Sequence, residues 1–263
     1  PVAVAKIPDK GAAPVAVATG SGRAGEHLGI AWSLVGSSTV SALVLGADGR
    51  PLAGPINAGS VDDLDCLRFV PGKNDLTLSY VRTDIAAGTY TLYFQELGGD
   101  GQPGPSRTLT LGDVRVGCPS VVPSTEGYGV AWKEVGDPPA RYGRGDVFVA
   151  IPDSGGFSLP ALVLSNDRVA GGDAPPVVGV GNTGSSKFTL LFAQRSGGQA
   201  WQVDHRGNKT SQSVTLPSAH GNTGAVSTRP VGASLFATYA DYSTADPSNQ
   251  AAGTRLFLEV TCK

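Results

Sequence analysis

The chain reads as an all-β protein assembled from one repeated antiparallel unit, and three observations carry that reading. Gly and Pro number 37 and 19 among 263 residues, while hydrophobic residues still reach 40%. They separate short apolar runs, as punctuation between many short elements does, and a packed core is retained. Five segments place an aromatic at the same point, Trp32, Tyr80, Trp132, Phe192 and Tyr239, at spacings of 48, 52, 60 and 47 residues. After each of them a second strand pattern follows, and in the first four units it runs into a Gly-bearing turn.

Taken in chain order, an apolar segment precedes each aromatic strand, at 14–19, 65–70, 117–123, 175–181 and 224–230. The aromatic strands span 27–33, 76–82, 128–133, 188–194 and 235–241, and the next strands span 39–45, 89–96, 146–151, 199–204 and 254–260. Turns at 47–50, 99–102, 153–156 and 205–208 carry Asp, Asn and Gly, which supply the positive φ of a tight hairpin. Last strands follow at 51–57, 106–111, 158–164 and 211–216, and the fifth unit breaks off after its third strand. Repeated four-stranded antiparallel units of about 50 residues predict the blades of a five-bladed β-propeller. The units are 14–60, 61–112, 113–165, 166–218 and 219–263 plus 1–10, in one domain spanning 1–263. An N-terminal strand at 2–7 is expected to complete the last blade and cover its edge. The aromatic strands carry apolar or small residues at alternate positions on both faces, so both are expected to be buried and the aromatics to be core. Trp201 lies on the following strand of unit four and is expected to pack between blades as well.

Bulk composition removes several function classes. Lys plus Arg total 20 against 22 Asp plus Glu, a formal charge of −2 with no two basic residues adjacent. Nucleic acid is therefore not an expected partner, since its affinity needs several cations on one face. No apolar run approaches the ~20 residues of a membrane span. The first residue is Pro1, read as a processed or partial chain. Cys66, Cys118 and Cys262 form no CxxC pattern, and His27, His205 and His220 do not cluster, so no metal and no cofactor is expected. Cys66 and Cys118 lie 52 residues apart, one repeat length, at equivalent places in their units. A disulfide between them is expected, provided their Cα atoms lie within about 7 Å. It would persist in an oxidising compartment, which points to an extracellular, cell-surface or periplasmic chain. Cys262 is left over, as a free thiol or a possible interchain link in a larger assembly.

The sequence shows no catalytic signature, and the argument for a site rests on loops. In a four-stranded meander, the connection from second to third strand emerges at the same end as the connection into the next unit. Those connections are the long ones, at 133–145, 166–174 and 241–253, and long loops on a rigid scaffold concentrate binding function. The candidate binding residues are Asp137, Arg141, Tyr142, Arg144, Asp173, Asp241 and Tyr242, with Asp63 and Asp65 at the start of a first strand. The expected partner is a protein or a glycan.

The repeat itself, with Gly29-Ile30-Ala31-Trp32 in unit one and Gly129-Val130-Ala131-Trp132 in unit three, resembles degenerate propeller repeats in secreted or surface proteins of GC-rich bacteria such as myxobacteria. The resemblance covers nearly the whole chain and implies a propeller outside the cytoplasm; its motifs specify blades and name no ligand. In blade count alone the chain also resembles five-bladed families that hydrolyse furanosides and pyranosides with carboxylates in an axial funnel. That chemistry needs two carboxyl groups about 5–10 Å apart, which the resemblance places on different blades. Here Asp62, Asp63 and Asp65 come from one unit, so binding is the preferred reading and glycoside processing the alternative.

Overall fold

The computed structural model describes residues 14–21, 27–34, 39–53, 55–60, 63–71, 76–84, 86–113, 116–123, 127–134, 147–153, 156–157, 161–164, 177–182, 188–194, 197–204, 206, 208–212, 214–216, 223–231, 234–241 and 254–261. Among them every strand pairs antiparallel and no helix occurs. The chain divides into two compact units, Pro1–Asp113 and Val114–Lys263, with the division at the junction of the second and third sequence repeats.

In the first unit, β1 (Pro14–Ser21), β2 (Leu28–Leu34), β3 (Thr39–Leu45) and β4 (Ile56–Ser60) form one four-stranded sheet in chain order. A second is formed by β5 (Asp63–Pro71), β6 (Leu76–Asp84), β7 (Thr89–Leu97) and β8 (Pro103–Gly112). Their β3–β4 and β7–β8 turns are copies of one another. Gly46 N donates to Arg50 O and Gly98 N to Gln102 O, both at 2.9 Å. The Asp48 and Asp100 carboxylates accept from the Arg50 and Gln102 amides at 3.0 Å. Gly49 and Gly101 hold φ of 74° and 78°, the left-handed conformation that side chains resist. One expected strand is displaced: 51–57 becomes β4 at Ile56–Ser60. Pro51 and Pro55 have no N–H for a ladder, so Pro51 makes an isolated bridge to Leu45 and regular pairing begins after Pro55.

In the second unit, β9 (Ser120–Pro123), β10 (Tyr128–Lys133), β11 (Val147–Ala150) and β14 (Ala161–Leu164) make a four-stranded sheet. Between β11 and β14, β12 (Pro152–Asp153) and β13 (Gly156–Phe157) form a two-stranded ribbon, and of the strand expected over 158–164 residues 161–164 are described. Next come β15 (Val177–Asn182), β16 (Phe188–Gln194), β17 (Gly197–Val203) and β18 (Val214–Leu216), again four in chain order. The last sheet has three described strands, β19 (Thr223–Val231), β20 (Ser234–Asp241) and β21 (Thr254–Thr261). Residues 2–7, expected to add a fourth, lie outside the described residues.

Register explains the packing. Gly29 and Ala31 face the same way as Val44 and Ala42, their partners on β3. That small-residue face meets Leu67, Leu76, Leu78 and Tyr80 of the next sheet, with Phe69 and Tyr93 at its margin. A Cβ on Gly29 would stand 2.8 Å from the Phe69 ring, closer than carbon atoms pack, so only glycine admits the phenylalanine. The second unit repeats the device. Ala131, Val147 and Val149 meet Phe188, Leu190 and Val203, with Trp201 packed alongside as expected, and a Cβ on Gly129 would overlap the Phe188 ring. Residues 76–81 of β6 and 128–132 of β10 are buried without interruption, so both faces of these strands are covered.

The expected aromatic core holds for Tyr80 and Trp132, which are buried. Trp32 is only half-buried, a correction to the expectation, and Leu28 on the same face is 41% exposed. That face of β2 is opposite the one covered by the second sheet. The side chains of Phe192 and Tyr239 lie outside the described residues.

Two outcomes are expected. Gly129→Ala should cost about 1–3 kcal/mol through overpacking, read from urea unfolding, and adding Phe188→Leu should recover part of the loss. Tyr80 stacks on Tyr93 at 5.4 Å. Burial, reinforced by Tyr93 and opposed by Arg82, raises its phenol above the ordinary tyrosine value. The unfolded chain then ionises first, so stability should be intact below the ordinary value and fall as pH rises through the folded one. Unfolding curves of Tyr80→Phe at rising pH should show a shallower alkaline loss.

Candidate functional site

Strand direction fixes where the candidate loops attach. In the first sheet of the second unit, β10 ends at Lys133 and β11 starts at Val147, two residues paired with each other. The 135–146 connection leaves from that end, and β14 runs back toward it before the connection to β15. In the last sheet Asp241 ends β20 and pairs with Thr254, so the 242–253 connection leaves from the corresponding strand ends. Asp137, Arg141, Tyr142, Arg144, Asp173 and Tyr242 fall in these connections and lie outside the described residues. For Asp63, Asp65 and Asp241 the backbone alone is described: Asp63 begins β5, opposite Val81, Asp65 follows in the same strand, and Asp241 closes β20.

The described residues at the mouth of the 135–146 connection carry more chemistry than the sequence reading selected. Trp132 is 1% exposed and stacks on Phe148 at 5.7 Å. Its indole Nε1 has no hydrogen-bond partner among the described residues. Lys133 leaves the opposite face of β10, alongside Gly129 and Ala131, and desolvation lowers its pKa. Its backbone carbonyl accepts from Gly117 N at 2.9 Å, and Glu134 is bridged to Val116. Lys133 was detectable in the sequence: it occupies the register position held by Ser33, Val81, Ala193 and Ala240 in the other units.

Cys66 and Cys118 are both disulfide-bonded. Each sits where its ladder is interrupted. Cys66 falls between the pairs Asp63↔Val81 and Arg68↔Ser79, where the register shifts. Cys118 falls between the Val116–Glu134 bridge and the first β9 pair, Ser120↔Ala131. Cys66 is buried and Cys118 exposed.

On the far side of the second unit, Lys209 Nζ lies 5.0 Å from the centre of the Trp201 ring, a cation–π contact. The adjoining turn is closed by Asp204, whose carboxylate accepts from the Arg206 and Asn208 amides at 2.8 and 2.9 Å.

No protein-family model and no curated protein sequence matches the chain. Solved structures do align with it. A thermostable family-43 glycoside hydrolase is similar at 10% identity and a TM-score of 0.45, over 94% of this chain and 89% of that one. The WD40 domain of SCAP from fission yeast is similar at 13% identity and a TM-score of 0.43, over 94% and 63%. A prolyl endopeptidase aligns at 17% identity and a TM-score of 0.42, and the chain spans 39% of its length. At such identities no residue role passes from these proteins to this chain.

A bond between Cys66 and Cys118, as their spacing predicts, would close a loop of 52 residues and remove unfolded-state entropy worth about 4 kcal/mol. Cys66→Ser with Cys118→Ser, compared with the oxidised wild type by chemical denaturation, should lose stability up to that amount. Non-reducing peptide mapping should recover the 66–118 cross-link.

Proposed function

We propose that this chain is a non-catalytic recognition or scaffold module working outside the cytoplasm, which binds a protein or glycan through the loop-bearing ends of its sheets. The observation that carries the reading is topological. In the second unit the β10–β11, β14–β15 and β20–β21 connections, which hold Asp137, Arg141, Tyr142, Arg144, Asp173 and Tyr242, with Asp241 the last residue of β20, leave from equivalent strand ends of successive meander sheets. Long polar connections on a rigid antiparallel scaffold are suited to binding. In this proposal the whole chain is one five-bladed propeller, with residues 2–7 supplying the fourth strand of the last blade. Its support is the succession of chain-ordered meanders and their shared packing of a small face on a large one. The disulfide supports an oxidising location such as the cell exterior, the cell surface or the periplasm. A role in a larger assembly, with Cys262 as an interchain link, belongs to the same proposal.

Glycoside processing is the competing reading. Asp63 and Asp65 lie on the single strand β5, and two hydrolytic carboxyls at inverting or retaining separation are better supplied from separate strands.

Affinity electrophoresis through gels containing arabinan, xylan or galactan tests the glycan form of the proposal. The wild type should be retarded at least in one gel. The combined variant Asp137→Ala, Arg141→Ala, Tyr142→Ala and Arg144→Ala should lose about tenfold or more in apparent affinity with an unchanged melting temperature. Retardation that survives in this variant rejects the loop face. Release of reducing sugar that Asp63→Asn with Asp65→Asn abolishes would establish the enzyme reading instead.

A further inference from the structure

The fourth strand of the second sheet leaves its backbone open along a length that the other sheets do not. β8 runs for 10 residues, whereas β4, β14 and β18, the corresponding strands, run for five, four and three. Among the described residues β8 pairs with β7 alone, and every residue from Pro103 to Thr108, together with Thr110, is exposed. An open edge presents a row of N–H and C=O groups that templates pairing with another chain, and proteins blunt such edges with short strands, Pro and charge. Pro103 and Pro105, which have no N–H, blunt the first half of β8. From Ser106↔Gln95 to Thr110↔Thr91 the register with β7 is regular, and it shifts on both sides of that stretch. The edge fit for pairing is therefore the five residues 106–110, centred on Thr108.

The side chains of this stretch match a copy of themselves. An antiparallel strand related by a two-fold axis through Thr108 sets Ser106 opposite Thr110, Arg107 opposite Leu109, and Thr108 opposite its own counterpart. Ser106, Thr108 and Thr110 alternate along one face of β8, so hydroxyl meets hydroxyl, a cross-strand pair that stabilises. Arg107, the only charged residue of β8, meets Leu109 and no second cation. An extended peptide of other sequence would gain the backbone hydrogen bonds and lose this match. A two-fold contact also uses both edges at once and stops at two chains.

We propose that two copies of the chain associate by antiparallel pairing of their β8 strands over 106–110, which joins two four-stranded sheets into one continuous sheet. The contact does not depend on the loop face and stands whether or not that face binds a glycan.

Sedimentation velocity of the full, oxidised chain is the test. An edge contact of this length falls at the small end of protein interfaces, so the series runs from about 1 μM to about 1 mM. A reversible monomer–dimer equilibrium is expected, and it should persist in Cys262→Ser, which removes the candidate interchain thiol. Thr108→Lys and Thr108→Glu each set like charges against one another on the axis and should weaken the dimer at least about tenfold. Their melting temperatures should be unchanged, because Thr108 is exposed. Mixing the two variants in equal amounts should restore the dimer, a rescue that a folding defect would not give. A chain that stays monomeric to the top of the series, a dimer lost in Cys262→Ser, association that Thr108→Lys leaves unchanged, or a mixture that stays monomeric overturns the proposal.

Discussion

Everything else in this fold depends on one steric fit, the aromatic ring of one sheet lying over a glycine of the sheet before it. Gly29 beneath Phe69 and Gly129 beneath Phe188 let two sheets approach to within ring thickness. Alanines at positions 31 and 131 continue the same small surface. In both of these pairs a small face meets a large face, and packing small on large is directional. Directionality permits the unit to be repeated along the chain, because the large faces of the second and fourth sheets are covered by their predecessors.

The same fit explains the composition. Strands buried on both faces have almost no room for charge, which accounts for a charged content of 16% concentrated at turns and connections. It also makes the exceptions informative. Lys133, at the end of a small face, and Arg68, within a sheet face, are cations where the repeat calls for uncharged side chains. Desolvation lowers the pKa of both.

The repeat was legible because its signals are local. Glycine at a positive φ, as at Gly49 and Gly101, and aromatic residues at a fixed place in each strand need no tertiary information to be recognised. Proline shifted one strand by several residues, from 51–57 to Ile56–Ser60. Its effect on ladder hydrogen bonds is also local. The cysteine pair was legible because equal spacing in a repeat means equivalent position. The site was less legible. Loop residues such as Arg141 and Tyr142 follow from length and topology, whereas the open edge at 106–110 emerges only through cross-strand register, which shifts on both sides of it.

The sequence by itself determined the all-β class, the order of strands within each repeat and the turns between them, because periodicity, glycine φ and proline geometry act over a few residues. Tertiary structure alone decided which face of each strand meets which neighbour, that the glycine of Gly-x-Ala-Trp is a seat for a phenylalanine, and that residues 106–110 form a regular open edge. Those outcomes depend on register and sheet-to-sheet distance, quantities set by many side chains packing at once and written in no single segment of the chain.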